Sequence, residues 1–264
     1  MPIPFAMPDR ASPDCTQPAS KPLLIISAGN TFPGLRESEG DFDDWIAAGL
    51  GQATPALPMR RIDAQQPAPA LPHPSEVAGV VVSGSHAMVT DRAPWSEQLA
   101  LWMKRCVEAG VPVLGICYGH QLLAHAFGGK VDELPGGPEV GTQSIHLTQD
   151  AYQDALLAGL PDRFPAQLVH YQSVLRLPDQ AVLLARSDLE PHQAFRVGGC
   201  GWGVQFHPEF SAAAMRAYVG HVNRSHDASS QLDSGVVSTT PDASSVLGRF
   251  AAMVQALEAS SQSA

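Results

Sequence analysis

Basic residues are scarce in this sequence: 16 Lys and Arg stand against 26 Asp and Glu in 264 residues, a formal charge of −10. An acidic chain without a basic block is poorly suited to gripping a phosphate backbone, so nucleic acid is not an expected partner. Charged residues of both signs reach only 16%, against about 25% in an ordinary soluble domain. Long apolar runs are missing too. None approaches the roughly 18 residues that a membrane span requires, and the first 20 residues hold five prolines but no apolar signal segment. A cytoplasmic location without membrane contact is the expectation. The four cysteines (Cys15, Cys106, Cys117 and Cys200) form no C-x-x-C pair, which argues against a disulfide framework. Zinc spacing is absent, and His120 and His125 would sit ~140° apart around a helix, not one above the other. There is no G-x-x-x-x-G-K-[ST] and no dinucleotide fingerprint, so neither metal nor cofactor is expected.

What remains is 44% apolar, enough for a substantial core. Residues 1–20 are rich in Pro, Ser and Asp and read as disordered, leaving one domain over 21–260. Short apolar runs at Leu23–Ile26, Val77–Val82 and Val111–Ile116 read as buried strands, and Pro58–Asp63 is a further short strand candidate. Helical stripes over Asp41–Leu50, Trp95–Ala109 and Gly119–Phe127 alternate with them. That alternation predicts an α/β fold, a central mostly parallel sheet with helices on both faces. The second half is richer in strands, with candidates at Gly141–Thr148, Gln167–Val174, Ala181–Ser187 and Gln193–Phe206. They predict an antiparallel extension of the sheet. Two closing helices, Ser211–Val222 and Val246–Glu258, flank a stretch poor in large apolar residues, which reads as a mobile loop at about 224–245.

Two short segments carry the chemistry. In Gly115-Ile116-Cys117-Tyr118-Gly119 a buried strand passes directly into a helix. That is the sequence form of a nucleophile elbow, with glycines where the sharp turn leaves no room for Cβ atoms. Cys117 would sit at a helix N-terminus, where the partial positive charge favours thiolate and the Tyr118 N–H is free to meet an oxyanion. The second segment is Gly203-Val204-Gln205-Phe206-His207-Pro208-Glu209. Residues two apart share a side of a strand, so His207 and Glu209 face the same way. An imidazole oriented by a carboxylate beside a thiol is a catalytic triad in cysteine form.

Taken together, G-I-C-Y-G-H-Q and, about 90 residues later, G-V-Q-F-H-P-E resemble the class I (triad) glutamine amidotransferases. Within that family the sequence is most similar to stand-alone domains like the glutaminase part of GMP synthase. The resemblance runs over about residues 21–222 and implies a flavodoxin-like fold, with Cys117, His207 and Glu209 as the triad. It implies oxyanion donors at the backbone N–H groups of Tyr118 and the Gly84–Ser85 loop, and substrate-holding roles for Gln121 and Ser173. The family loop often reads S-G-G-P, whereas this chain has Ser83-Gly84-Ser85-His86. The implied reaction is hydrolysis of the glutamine side-chain amide through a glutamyl thioester, the ammonia passing to an acceptor or to a synthase subunit. A stand-alone γ-glutamyl hydrolase or peptidase with the same triad is the alternative, and a non-catalytic binding module is a third reading. In the catalytic readings the partner is a small molecule, glutamine or a γ-glutamyl amide.

Overall fold

The computed structural model describes residues 20–51, 57–67, 69–225 and 236–262. Nearly all of the proline-rich opening and residues 226–235 of the expected loop thus lie outside the described residues. The spine is a nine-stranded sheet ordered β2-β1-β3-β4-β11-β10-β9-β6-β7. Its parallel half joins β2 (Met59–Asp63), β1 (Leu23–Ser27), β3 (Gly79–Val82), β4 (Val113–Ile116) and β11 (Gly201–Val204). The antiparallel extension adds β10 (Ala194–Val197), β9 (Val182–Arg186), β6 (Glu139–Leu147) and β7 (Arg163–His170). The sheet is therefore mixed, with the antiparallel part at the end that the sequence indicates.

Burial explains the parallel half. The runs LLII, GVVV and VLGI are fully buried because helices cover both faces, and alternate residues serve the two sides. Leu23 and Ile25 pack with Ile46 and Leu50 of α2 (Phe42–Gly51) and with Val246 and Phe250 of α6 (Pro241–Gln262). Leu24 and Ile26 pack with Leu99, Trp102 and Met103 of α3 (Pro94–Glu108) and with Leu122 of α4 (Tyr118–Ala126). Strand β2 ends this side of the sheet and carries Arg60 and Arg61, charges that discourage edge-to-edge pairing.

Several expected boundaries shift for identifiable reasons. Gln193–Phe206, expected as one strand, is the hairpin β10–β11, because Gly198 and Gly199 adopt φ of 60° and 84° and reverse the chain. Gln167–Val174 breaks at Tyr171. Its first part belongs to β7, and its second part opens β8 (Gln172–Arg176), which pairs with β5 (Lys130–Glu133) in a separate two-stranded sheet. The final helix begins at Pro241, not Val246, with proline at a position where its missing N–H costs nothing. Ahead of it, Ser238 is anchored by Gln167 Nε2 to its carbonyl at 2.7 Å and by its own N–H to Thr142 Oγ1 at 3.0 Å. A short helix, α1 (Pro33–Glu39), and α5 (Ala212–Ser225) meet in a third apolar cluster built on Leu35, Phe42, Phe210, Met215 and Tyr218. Among the described residues no helix is long and apolar enough to cross a membrane.

Candidate active site

The C-terminal ends of β3, β4 and β11 lie side by side, and the chain leaving each one carries a site residue, as α/β sheets generally arrange. Cys117 follows β4 directly and is the N-cap of α4, with φ 49° and ψ −98°. Arg92 is the one other described non-glycine residue with positive φ. Such a conformation is costly for a side chain and persists where neighbours enforce it. Here the Cys117 N–H donates to the Val204 carbonyl at 2.9 Å, and the Cys117 carbonyl accepts from Gln121 N at 3.1 Å. The two flanking glycines have the role that the motif assigns them. A Cβ on Gly115 would lie 2.3 Å from the Gly119 carbonyl oxygen, and one on Gly119 would lie 2.5 Å from that of Val82. Gly115→Ala is therefore expected to cost about 1–3 kcal/mol or more in urea unfolding and to remove activity, since backbone atoms cannot step aside. Wild-type stability in that variant would contradict the tightness of the elbow.

His207 and Glu209 follow β11 and are both buried. Their Nδ1 and Oε1 atoms are 2.7 Å apart, and the His207 N–H donates to the Gln167 carbonyl at 2.8 Å, fixing the chain as it leaves the strand. Phe210 lies against the imidazole with ring centroids 4.1 Å apart. Burial disfavours the charged ring, but the negative charges of Glu209 and Cys117 outweigh it and raise the His207 pKa to about 10. Gly84 is the wedge between His207 and Cys117. A Cβ there would stand 3.0 Å from His207 Cε1 and 3.7 Å from Cys117 Cβ.

Beside Cys117 the expected oxyanion donors are all backbone groups. Among the described residues, none accepts a hydrogen bond from the N–H of Tyr118, Gly84 or Ser85. The Gly84 carbonyl is held by Ser83 Oγ at 2.9 Å. Because C=O and N–H point opposite ways across a trans peptide, this bond turns the Ser85 N–H away from Ser83. A cavity of about 260 Å³ opens here, lined among others by Cys117, Tyr118, His207, Ser85 and Gln121. Its size suits a small molecule. Gln121 spends its amide nitrogen on the Gln172 carbonyl, 2.7 Å, and on Gln205 Oε1, 3.0 Å. Ser173 is not among the lining residues; its hydroxyl donates to the Glu190 carboxylate, while its neighbours His170, Tyr171 and Gln172 line the cavity. Four further lining residues carry no local signature in the sequence: Phe42, His86, Tyr218 and His221. His86 stands in the loop where the family proline is replaced. Burial first, then the charges of His221 and His207, lower its pKa.

The other described cysteines are unsuited to the same chemistry. Burial pushes the Cys106 thiol up to about 12 and raises that of Cys200. Among the described residues no group of three His, Cys, Asp or Glu could hold a metal ion. His120 lies in the core, and burial lowers its pKa to about 3. His125 is near the surface beside Glu97.

A strained strand-to-helix turn carrying Cys117, beside a buried His–Glu pair at the strand ends of a mixed α/β sheet, is the arrangement that resembles the class I glutamine amidotransferases. The chain belongs to that family: the model named "Glutamine amidotransferase class-I" matches residues 36–219. Among sequence relatives, it is 39% identical over 160 residues to the glutamine-hydrolyzing GMP synthase of Aeropyrum pernix, covering 61% of this chain and 28% of that protein. It is 38% identical over 133 residues to one subunit of the glutamine-hydrolyzing GMP synthase of Methanopyrus kandleri, covering 50% of this chain and 66% of that relative. The chain thus matches less than two thirds of either relative. Among solved structures, a glutamine amidotransferase of Thermotoga maritima superposes with a TM-score of 0.69 at 18% identity, over 90% of this chain and 98% of that one. A second, from Methylobacillus flagellatus, gives 0.65 at 24% identity, over 92% of each chain. At these identities the two structures establish the fold.

Proposed function

We propose that the chain is a glutaminase that releases ammonia from the side-chain amide of glutamine. The observation that carries this reading is the left-handed Cys117 held between two obligatory glycines and facing the His207–Glu209 pair. Cys117 sulfur attacks the amide carbon, and the oxyanion that forms is met by the N–H groups of Tyr118 and of the Gly84–Ser85 loop. His207 gives its proton to the amide nitrogen as the C–N bond breaks, leaving a γ-glutamyl thioester and free ammonia. Neutral His207 then takes a proton from water, whose oxygen attacks the thioester. Glutamate leaves, and the proton now on His207 again faces the Cys117 sulfur. Glu209 keeps the imidazole oriented and balances its charge throughout.

For the ammonia, the reading is delivery to a synthase subunit that docks over the cleft. It is supported by relatives named as single subunits of GMP synthase, a name that implies a second one. A glutaminase that feeds a synthase gains nothing by releasing ammonia unused, so its basal turnover is expected to be slow and to rise at least tenfold when the synthase is supplied. Glutamate release should be measured with glutamine and with several γ-glutamyl amides, with and without a GMP synthase subunit lacking its own glutaminase. Fast, partner-independent cleavage of a γ-glutamyl peptide with negligible action on glutamine would instead identify a γ-glutamyl hydrolase.

A further inference from the structure

The side chain of Tyr118 is tied into the seam between α4 and α3, where it shares an apolar cluster with Leu99 and Met103. Its phenol oxygen is hydrogen-bonded to Ser96 Oγ, in the first turn of α3, and both residues are only 1% exposed. The Trp95 ring stacks on the phenol ring, with centroids 5.6 Å apart. Burial raises the phenol pKa to about 12, so the group keeps its proton at neutral pH. A serine in a first helical turn can bond to its own backbone. Here the hydroxyl is engaged across the seam instead.

That tie acts on a backbone group that little else fixes. The first N–H groups of a helix have no carbonyl one turn back to bond to. In the peptide joining Cys117 to Tyr118, the carbonyl accepts from Gln121 N at 3.1 Å, but the N–H has no partner among the described residues. Its direction follows where the Tyr118 Cα stands, and the phenol is the long arm that anchors that atom. A second tie joins the same helices at the far end of α4, where His125 Nε2 lies 3.2 Å from Glu97 Oε2. It is partly exposed and about two turns from Tyr118, so it serves the docking of the helices and not the aim of the first turn.

We propose that Ser96 is a positioning residue: through the Tyr118 phenol it fixes the Tyr118 N–H where the oxyanion of the tetrahedral intermediate forms. The inference rests on the glutaminase reading above and adds to it a residue from outside the cleft. Ser96 does not line the cavity and touches no reacting atom. An oxyanion donor is effective only when it is aimed in advance at the place where charge develops. A buried hydroxyl pair between two helices holds that aim more firmly than a free helix end.

The test compares kcat/KM, measured as ammonia release, for glutamine and for its γ-thioamide, in which sulfur replaces the amide oxygen. Sulfur is the weaker acceptor, so the thioamide depends less on the Tyr118 N–H. The proteins are the wild type, Tyr118→Phe, Ser96→Ala and the double variant. Each single variant should lose about five- to tenfold on glutamine and less than about twofold on the thioamide. The double variant should lose no more than the worse single variant, because both substitutions remove one tie. Iodoacetamide, whose displacement reaction builds no oxyanion, should alkylate Cys117 at the wild-type rate in all of them. Glu97→Ala, which cuts the other tie, should leave both substrates unaffected. Tyr118→Phe keeps the ring that Trp95 stacks on, and it decides the matter if Ser96→Ala fails to fold. Equal losses on the two substrates overturn the proposal, as do a further loss in the double variant, slowed alkylation, or the same split in Glu97→Ala. A wild type that hydrolyses neither amide removes the glutaminase reading itself, whereas an active wild type with no split in Tyr118→Phe removes this inference alone.

Discussion

Cys117→Ala is expected to lower glutamine hydrolysis by about four to six orders of magnitude, down to what binding and oxyanion stabilisation alone supply. Without sulfur no thioester forms, and no neighbouring group can substitute. Cys106 and Cys200 are raised thiols outside the cleft, and neither lines it. The fold should survive, because the elbow is imposed by the Gly115 and Gly119 contacts and by the Cys117 backbone bonds, all of which alanine retains. Urea unfolding should therefore shift little while steady-state glutamate release disappears. Turnover near the wild-type level in a folded Cys117→Ala protein would remove the nucleophile assignment.

Glu209→Gln should reduce turnover by about two to four orders of magnitude, less than loss of the nucleophile, because triad members act as a unit with unequal single effects. The amide still fills the space and can still accept from His207 Nδ1, but it carries no charge to balance the imidazolium. The same substitution has a signature in stability. The His207 pKa is raised from the usual 6.5 to about 10, so the stabilisation it brings is complete below pH 6.5 and fades as pH climbs through 10. Burial opposes that shift, and Glu209 is the larger of the two charges that produce it. Unfolding free energy should accordingly fall between pH 7 and 10 in the wild type and stay flatter in Glu209→Gln. Equal slopes in the two proteins, or unimpaired turnover in the variant, would reduce the site to a Cys–His dyad.

The residues assigned to the proposed chemistry are legible in the sequence because each is tied to a local backbone event. Gly115 and Gly119 announce a turn in which no Cβ fits, and the structure finds carbonyl oxygens at 2.3 and 2.5 Å from those positions. Strand periodicity pairs His207 with Glu209 in the sequence, although β11 ends at Val204 and the two side chains meet in the chain that follows it. The central parallel strands β1, β3 and β4 were legible for a similar reason, since sheets covered on both faces demand unbroken apolar runs. The cleft wall was not. Tyr171 interrupts what reads as a continuous strand, and the break is what sends His170 and Gln172 to the cavity and Ser173 to Glu190. Phe42, Tyr218 and His221 arrive from helices remote in sequence, where their spacing marks only an apolar face. Helix α1 escaped because Pro33, Gly34 and its charged residues show no apolar stripe; a single leucine, Leu35, anchors it. Tertiary packing, not local propensity, decides these features.

The most direct test of the account is to catch the glutamyl group on its sulfur. Wild-type protein should be mixed with glutamine, quenched in acid within the first turnovers, digested and mapped by mass spectrometry. The account predicts a hydroxylamine-labile glutamyl adduct on the peptide that carries Cys117, absent from Cys117→Ala. It should persist longer in Glu209→Gln if deacylation is the step that this variant slows more. Steady glutamate release with no adduct on Cys117, or with the adduct on another residue, would contradict it.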